Sequence, residues 1–401
     1  MTRDAILTVG VLLAAGLAAR LAADLLRLPP VLLLFGTGVL VGPSVLDVVD
    51  VPLSSTGAQM LFTLGVSVVL FYGGISLSVD ILERVWISLG MLAIVGVLLT
   101  TAVVGVAAAA AFDLPLEHGL LVGAVLSPTD PAILIPLFIG SRLRPKLSET
   151  VVAESAFNDP TAAVLALAIA GAILSGDGSI GEPVADFVVD LGLSALVGVV
   201  AGVLLSLTIS SHRAGIWRDS GPLAVLAVVA IGYVSLDSAG GSGYLGAFLA
   251  GLVVGNMTRL RLAMHGEHER EVHSFAAIVS DLVTTFVFLI VGANVPLDAL
   301  ADNAVPALAV IAVLILVARP LTVLACARPD RRAAWTRPEL AFLAWTRETG
   351  IVPAALVGVL AALGLPNGDV LASVVAVAIV VTLLLQAVPA PWLARRLDLL
   401  E

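Results

Sequence analysis

Residues 153–161 read Ala-Glu-Ser-Ala-Phe-Asn-Asp-Pro-Thr and interrupt a run of otherwise apolar residues. In a helix, Glu154 and Asn158 share one face, and Ser155 and Asp159 share the neighbouring face. An ionisable group in hydrocarbon costs several kcal/mol and usually marks an ion or substrate path. This stretch therefore predicts a functional site inside a membrane.

The same stretch offers oxygen ligands to a cation. Pro160 has no N–H, so the carbonyl of Ala156 is expected to lack its helical donor. A carboxylate, an amide oxygen, a hydroxyl and a free carbonyl are ligands for a hard cation. We expect a monovalent cation to bind here.

The composition is that of a polytopic membrane protein. The chain has 401 residues, of which 59% are hydrophobic and 12% are charged, whereas soluble domains carry about 25% charge. The single cysteine, Cys326, excludes an internal disulfide, a Cys-rich zinc site and an iron–sulfur centre. Residues 1–401 are expected to form one membrane domain with no soluble domain, no cofactor and no nucleic-acid partner.

Apolar runs divide the chain into spans. A hydrocarbon core of ~30 Å requires about 20 helical residues. Thirteen spans are predicted, of which the eighth and ninth are short: 5–26, 30–46, 57–77, 86–112, 118–139, 150–174, 187–211, 223–236, 244–257, 275–293, 304–327, 338–363 and 370–393.

The charges of the loops give the orientation. Basic residues occupy alternate loops: Arg20 and Arg27, Arg84, Arg142 to Lys146, Arg213 and Arg218, Arg259 to Arg270, Arg328 to Arg337, and Arg395 with Arg396. The intervening loops are acidic. The positive-inside rule places the N-terminus outside and the C-terminus in the cytoplasm of a cell-membrane protein.

Two spans are interrupted by polar residues and prolines. The fifth contains Ser-Pro-Thr-Asp-Pro at 127–131, and the twelfth contains Thr-Arg-Glu-Thr-Gly at 346–350. Unwound backbone at membrane depth lines a cavity or is buried in protein. Interrupted spans at matching positions of two inverted halves indicate the midplane site of a secondary transporter.

The interrupted spans divide the chain into halves. Because spans five and twelve are seven apart, the predicted halves are 5–174 and 223–393, joined by span 187–211. The ends of the broken helices need charged partners, which Asp130 or Arg347 can supply.

Arg319 lies deep in the eleventh span and requires a carboxylate. Glu154 is the free candidate, so a structural ion pair between Glu154 and Arg319 is expected. Asp159 is then left as the carboxylate that takes up and releases a proton.

These residues resemble the monovalent cation:proton antiporter family, in its NhaP/NHE-type branch with an Asn-Asp pair. The resemblance covers the hydrophobic body and rests on Thr129-Asp130-Pro131, Glu154-Ser155, Asn158-Asp159 and Arg319. It implies that Asp159 binds cation and proton in turn, that Thr129 and Ser155 supply ligand oxygens, that Asn158 supports the site, and that Glu154 and Arg319 brace it. It also implies electroneutral one-for-one exchange and a homodimer.

Two positions depart from the family pattern. The family's twelfth-span signature is Gly-Leu-Arg-Gly-Ala, whereas Arg347 is followed here by Glu348 and Thr349. Either Glu348 neutralises Arg347, or it alters ion choice or the pH set-point. Pro160 after the Asn-Asp pair is the second departure.

Several roles stay open. Asp130 either joins the cation site or only satisfies the broken-helix ends. Asp281, with Thr284 and Thr285, either lines the ion path or packs helices. The His- and Glu-rich loop 265–273 is either a pH sensor or a solvated cap of a span. The pairs Gly119/Gly123, Gly198/Gly202 and Gly251/Gly255 indicate close helix packing.

The predicted function is Na⁺ or Li⁺ exchange for H⁺ in pH homeostasis. K⁺/H⁺ exchange is the near alternative, because selectivity depends on fine ligand placement. A Na⁺-coupled organic-solute transporter is more distant, since the polar groups that it needs are already assigned. An intramembrane enzyme is disfavoured because no His-Glu-x-x-His or Gly-x-Gly-Asp motif occurs.

Overall fold

The described part of the chain contains thirteen helical spans. A computed structural model describes residues 2–130, 138, 142–176, 181–211, 215–262, 264 and 266–401. The helices are α1 Thr2–Leu26, α2 Pro30–Val41, α3 Thr56–Ile75, α4 79–112, α5 Leu116–Val125, α6 Pro145–Ser175, α7 Gly181–Ile209, α8 Gly221–Ser238, α9 Gly243–Gly255, α10 Gly266–Ala293, α11 Leu297–Cys326, α12a Arg337–Trp345, α12b Ile351–Ala362 and α13 Gly368–Arg396.

The predicted all-α polytopic fold is confirmed. Within the described ranges, nine helices are long and apolar enough to cross a membrane, and shorter apolar helices complete the set. The second half of the predicted fifth span, with Pro131, lies outside the described residues, as do Asp177, Arg213 and His265.

One predicted boundary is corrected. The His- and Glu-rich stretch was predicted to be a loop, but residues from Gly266 onward already form the first turns of α10. Apolar-run counting stops where hydrocarbon ends, whereas a helix continues into water with polar side chains. α6 runs unbroken through Pro160, so the missing N–H does not end that helix.

The helices pack in two groups. α4, α5, α11 and α13 contact one another, and α1, α2, α3, α7, α8, α9 and α10 form the second group. α6 and α12b contact members of both groups. The helices that carry the predicted site therefore lie where the groups meet.

Pairs of glycines four residues apart allow close contact at two helix–helix interfaces. A Cβ added at Gly38 on α2 would lie 2.3 Å from Leu289 O on α10, and one at Gly42, directly after α2, would lie 2.5 Å from Ala293 O. The close packing brings the two backbones together, which small residues permit. Gly292 faces Phe35 O in return at 2.3 Å.

The contact between α9 and α3 repeats that pattern. A Cβ at Gly251 would lie 2.2 Å from Phe71 O, and one at Gly255 would lie 2.3 Å from Ile75 O. Gly74 faces Phe248 O in return at 2.2 Å. The predicted close packing at Gly251/Gly255 is confirmed, as it is at Gly119/Gly123 and Gly198/Gly202.

The C-terminal residues hold the segment that leads into α6. Leu143 and Leu400 form an antiparallel β-bridge. Arg144 N donates to Leu399 O at 3.0 Å, and Glu401 N donates to Arg142 O at 2.8 Å. The first turn of α6 is thus fixed to the end of the described chain.

A polar cluster, here the Asp330 cluster, lies beside the same turn. It consists of Ser88, Asp330, Trp335, Lys146 and Glu339. Asp330 accepts from Ser88 Oγ at 2.7 Å, and Trp335 Nε1 donates to Ser88 Oγ at 3.0 Å. Lys146 lies 4.2 Å from the Trp335 ring centre and donates to Glu339 Oε2 at 3.1 Å.

Candidate cation site

The interruptions of the fifth and twelfth spans meet each other. α5 ends at Val125, and the gap between α12a and α12b holds residues 346–350. Asp130 N donates to Glu348 O at 3.1 Å across the two unwound stretches. We call this meeting point the crossing.

Each stretch supplies charge to a helix end of the other. Asp130 Oδ2 accepts from Ile351 N, the first residue of α12b, at 3.3 Å. Arg347 donates to Leu126 O, at the end of α5. An anion at a helix N-terminus and a cation at a C-terminus are both favourable, so each unwound stretch stabilises a helix end of the other.

Gly350 lets the two stretches approach. A Cβ added there would lie 2.1 Å from Asp130 Cβ, closer than any side chain tolerates. Only glycine fits without displacing Asp130.

Three polar side chains, those of Asn158, Ser155 and Asp159, lie beside Thr129. Asn158 Nδ2 donates to Thr129 Oγ1 at 2.9 Å, and Thr129 N donates to Asn158 Oδ1 at 3.3 Å. Ser155 Oγ donates to Thr129 O and lies 3.5 Å from Asp159 Oδ2. Asn158 thus ties α6 to the unwound stretch after α5, while Ser155 and Asp159 present oxygens beside it.

These side chains are removed from solvent. Relative exposure is 3% for Asn158 and Ser155, 8% for Thr129, and 9% for Asp130 and Asp159. A hydroxyl, a main-chain carbonyl and a carboxylate in so dry a place suit a monovalent cation that has lost water.

Glu154 and Arg319 are in contact. Arg319 donates with both Nη atoms to the two carboxylate oxygens of Glu154, the Nη2–Oε2 distance being 3.0 Å. Its Nε donates to Leu343 O at 2.8 Å and its Nη2 to Thr346 O at 3.2 Å, at the end of α12a. The guanidinium therefore links α6, α11 and α12a.

Local structure in α11 presents Arg319. A π-helical turn, Leu314–Ala318, directly precedes Arg319 and Pro320. Proline removes a helical donor, and π-turns are frequent at functional sites.

Arg347 and Glu348 are neighbours in the unwound stretch between α12a and α12b. Within the described residues no ion pair joins them, and Arg347 turns to Leu126 O instead. Glu348 is 2% exposed, and its Oε1 has no hydrogen-bond partner there.

Two other predicted clusters lie away from the crossing. Asp281 is exposed and accepts from Arg20 at 2.6 Å, and Arg20 also donates to Thr285 Oγ1 at 2.8 Å. Asp281 therefore joins α10 to α1. His268 lies 3.7 Å from Asp219 and 3.8 Å from Glu271, on the outer turns of α10.

Sequence reasoning missed two residues of α13. Thr382 Oγ1 accepts from Thr349 N at 3.0 Å, and Gln386 donates to Trp345 O. Both hold the unwound stretch of the twelfth span. Their polarity inside an apolar run was the available signal.

The chain is similar to known membrane transporters over most of its length. The family description "Sodium/hydrogen exchanger, transmembrane" matches residues 10–396. A probable Na⁺/H⁺ antiporter 2 of Methanocaldococcus jannaschii is 29% identical over 340 residues, covering 82% of this chain and 77% of that protein. The K⁺/H⁺ antiporter NhaP of Alkalimonas amylolytica is 30% identical over 399 residues, covering 98% and 67%.

A solved structure shares the whole fold. The sodium proton antiporter MjNhaP1 of Methanocaldococcus jannaschii at pH 8 aligns with a TM-score of 0.82 and 26% identity, covering 98% of this chain and 99% of that one. The match extends over nearly every residue of the thirteen spans, so the chain belongs to the sodium/hydrogen exchanger family of membrane transporters.

Proposed function

We propose that the chain exchanges Na⁺ for H⁺ by alternating access, with both ions competing at Asp159. The observation that carries this proposal is the contrast between the two acids of α6. Glu154 is neutralised by Arg319, whereas Asp159 is buried without an ion-pair partner in the described part of the chain. A buried carboxylate of that kind must hold a cation or a proton.

The surrounding oxygens give the cation its ligands. Ser155 Oγ, the Thr129 carbonyl and Asp159 converge, and Asn158 holds Thr129 in place. Asp130 interacts electrostatically with Asp159 and adds negative charge from the start of α12b. Glu154, Arg319 and Arg347 brace the helices without touching the ion.

Competition at one site explains the coupling. An empty, ionised Asp159 is costly at membrane depth, so the site reorients with a cation or a proton but not without either. Exchange is then one for one and electroneutral. A net charge would otherwise be driven by about 2.3 kcal/mol per 100 mV.

The proposed transporter consists of two inverted halves, residues 5–174 and 223–393. Span 187–211 joins them. The matched contacts of Gly38 and Gly42 with α10, and of Gly251 and Gly255 with α3, support these halves. They pair α2 with α10 and α9 with α3, as a two-fold relation requires.

The remaining assignments follow from the family and the charge pattern. We propose a homodimer in the cell membrane, with the N-terminus outside and the C-terminus in the cytoplasm. Its partners are a monovalent cation, the proton and lipid, its role is pH homeostasis, and it needs neither cofactor nor enzymatic chemistry.

K⁺/H⁺ exchange is the second candidate. The Alkalimonas amylolytica relative carries that name and is similar over 98% of this chain. Because selectivity rests on ligand spacing at Ser155, Thr129 and Asp159, ion ranking decides between the candidates.

The test is proton movement in proteoliposomes on addition of Na⁺, Li⁺ or K⁺. Wild type should respond, Asp159→Asn should not, and Asp302→Asn, at an exposed position on α11, should behave as wild type. The most effective cation identifies the substrate. If none of the three cations causes proton movement with the wild type over the whole pH range, the proposed exchange is refuted.

A further inference from the structure

The crossing, taken together with the buried side chains of α6 and α11 beside it, contains more acids than bases. Among the described residues, its buried ionisable side chains are Asp130, Glu154, Asp159, Glu348, Arg319 and Arg347. Residues 131–137 and 139–141, which continue the chain beyond Asp130, contain no ionisable side chain. With every group ionised, the crossing has an excess of two negative charges.

One transported ion cannot balance this excess. A monovalent cation or a proton on Asp159 neutralises one charge and leaves the second. An uncompensated charge at membrane depth is expensive, so one further acid must be neutral while the exchanger works.

Hydrogen-bond partners distinguish the acids. Glu154 has both oxygens on Arg319. Asp130 accepts the first N–H of α12b, where a helix end favours negative charge. Glu348 differs, because its Oε1 is inaccessible and has no partner among the described residues.

We propose that Glu348 holds a proton that stays in place throughout the transport cycle and keeps the crossing neutral when Asp159 carries one cation or one proton. This inference rests on the proposed exchange at Asp159. It assigns to the position where the family signature has glycine a charge-balancing role, with no contact to the transported ion.

The charges facing Glu348 come from several elements. The cations are Arg319 on α11 and the neighbouring Arg347, and the other acids are Asp130 and Glu154. Neither guanidinium reaches it, since Arg319 is engaged by Glu154 and Arg347 by Leu126 O. From α13, the polar neighbours of this stretch are Thr382 and Gln386, which are uncharged.

Loss of this proton has a defined effect. At alkaline pH, ionised Glu348 would add a charge that the reorienting helices must move in both half-cycles. The net stoichiometry would remain one for one, but each reorientation would be slower. Wild-type exchange should therefore decline on the alkaline side.

The first experiment compares Glu348→Gln with wild type in proteoliposomes. Glutamine reproduces the neutral carboxyl, so the variant should retain exchange with unchanged stoichiometry and lose the alkaline decline. Glu348→Met, neutral and of similar length, tests the same point if the glutamine variant is unstable. Loss of exchange in both variants, although they fold, or a changed stoichiometry, overturns the proposal.

The second experiment needs no transport and so separates this inference from the exchange itself. Infrared spectroscopy of the purified protein in an Asp159→Asn background, which removes the other carboxyl proposed to hold a proton, should show the carbonyl band of a protonated carboxyl. The band should be lost in Glu348→Gln and retained in Asp330→Asn, a buried acid outside the crossing whose oxygens accept hydrogen bonds. An unchanged band in Glu348→Gln contradicts the assignment.

Discussion

Two buried acidic residues of the same helix differ in what their side chains contact. Glu154 and Asp159 are both buried on α6, five residues apart. One is engaged by a guanidinium that also holds the end of α12a, and the other faces a hydroxyl and a carbonyl. Partner geometry, rather than residue type, decides which acid is available to an ion.

Removal of one member of the buried pair should be costly. Arg319→Ala leaves Glu154 without its partner, and breaking such pairs costs about 3–5 kcal/mol. We expect a clear fall in the melting temperature of the detergent-solubilised protein. Arg332→Ala, at an exposed position, is the control.

The double variant Glu154→Gln/Arg319→Gln completes that test. Because it leaves no lone charge, its melting temperature should fall by less than the sum of the falls for Glu154→Gln and Arg319→Gln measured singly. Simple additivity would show that the pair contributes no coupling.

Asp330 gives a pH-dependent prediction outside the membrane spans. Burial opposes its ionisation, but hydrogen bonds from Ser88, Ala333 and Arg332 outweigh burial and hold the pKa of Asp330 below its ordinary value. A lowered pKa in the folded state stabilises the fold above the ordinary pKa, and this stabilisation is lost as pH falls through the lowered value.

Asp330→Asn should therefore lower the melting temperature at neutral pH. The difference from wild type should shrink as the pH falls below the pKa of Asp330 in the folded protein. Melting curves over an acid-to-neutral series measure this, with Asp302→Asn as the exposed control. A difference independent of pH would argue against the ionised carboxylate.

At the scale of elements, glycine contacts hold α3 against α9. Gly74→Ala would place a Cβ 2.2 Å from Phe248 O, whereas nothing lies within 4 Å of a Cβ at its neighbour Gly73. Overpacking costs about 1–3 kcal/mol. Gly74→Ala should lower the melting temperature, and Gly73→Ala should leave it unchanged; equal effects would contradict this packing.

The elements were predictable where hydrocarbon dictates them. Apolar runs of spanning length revealed the spans, and prolines with polar residues revealed the interruptions in the fifth and twelfth. The start of α10 was not predictable in this way, because its outer turns lie beyond the apolar run.

The site could be predicted from the sequence where a buried charge needs a partner of opposite charge. Arg319 needed an acid, and Glu154 was the free one. The direction of Arg347 was not predictable, because the carbonyl at Leu126 that it binds becomes available only when α5 and α12 cross. Thr382 and Gln386 required knowledge of which helix packs on the unwound stretch.

At the scale of the molecule, the proposed membrane topology can be tested by cysteine labelling, because the chain has a single cysteine. The single cysteine, Cys326, is buried, and Cys326→Ser provides a cysteine-free background. In intact cells, Asp302→Cys should react with a membrane-impermeant maleimide, and Arg331→Cys should react only after permeabilisation. The reverse pattern would invert the proposed topology.

The β-bridge between Leu143 and Leu400 also connects the C-terminal residues to the segment directly before α6. Glu401 N donates a hydrogen bond to Arg142 O, a few residues before the start of the helix that carries Asp159. A fluorophore attached at Glu401 would therefore lie close to the start of that helix. Its signal would report the movement of that helix during turnover, without a label in the site. By the same connection, a bulky fusion placed after Glu401 would strain this bridge and slow the very motion it was meant to follow.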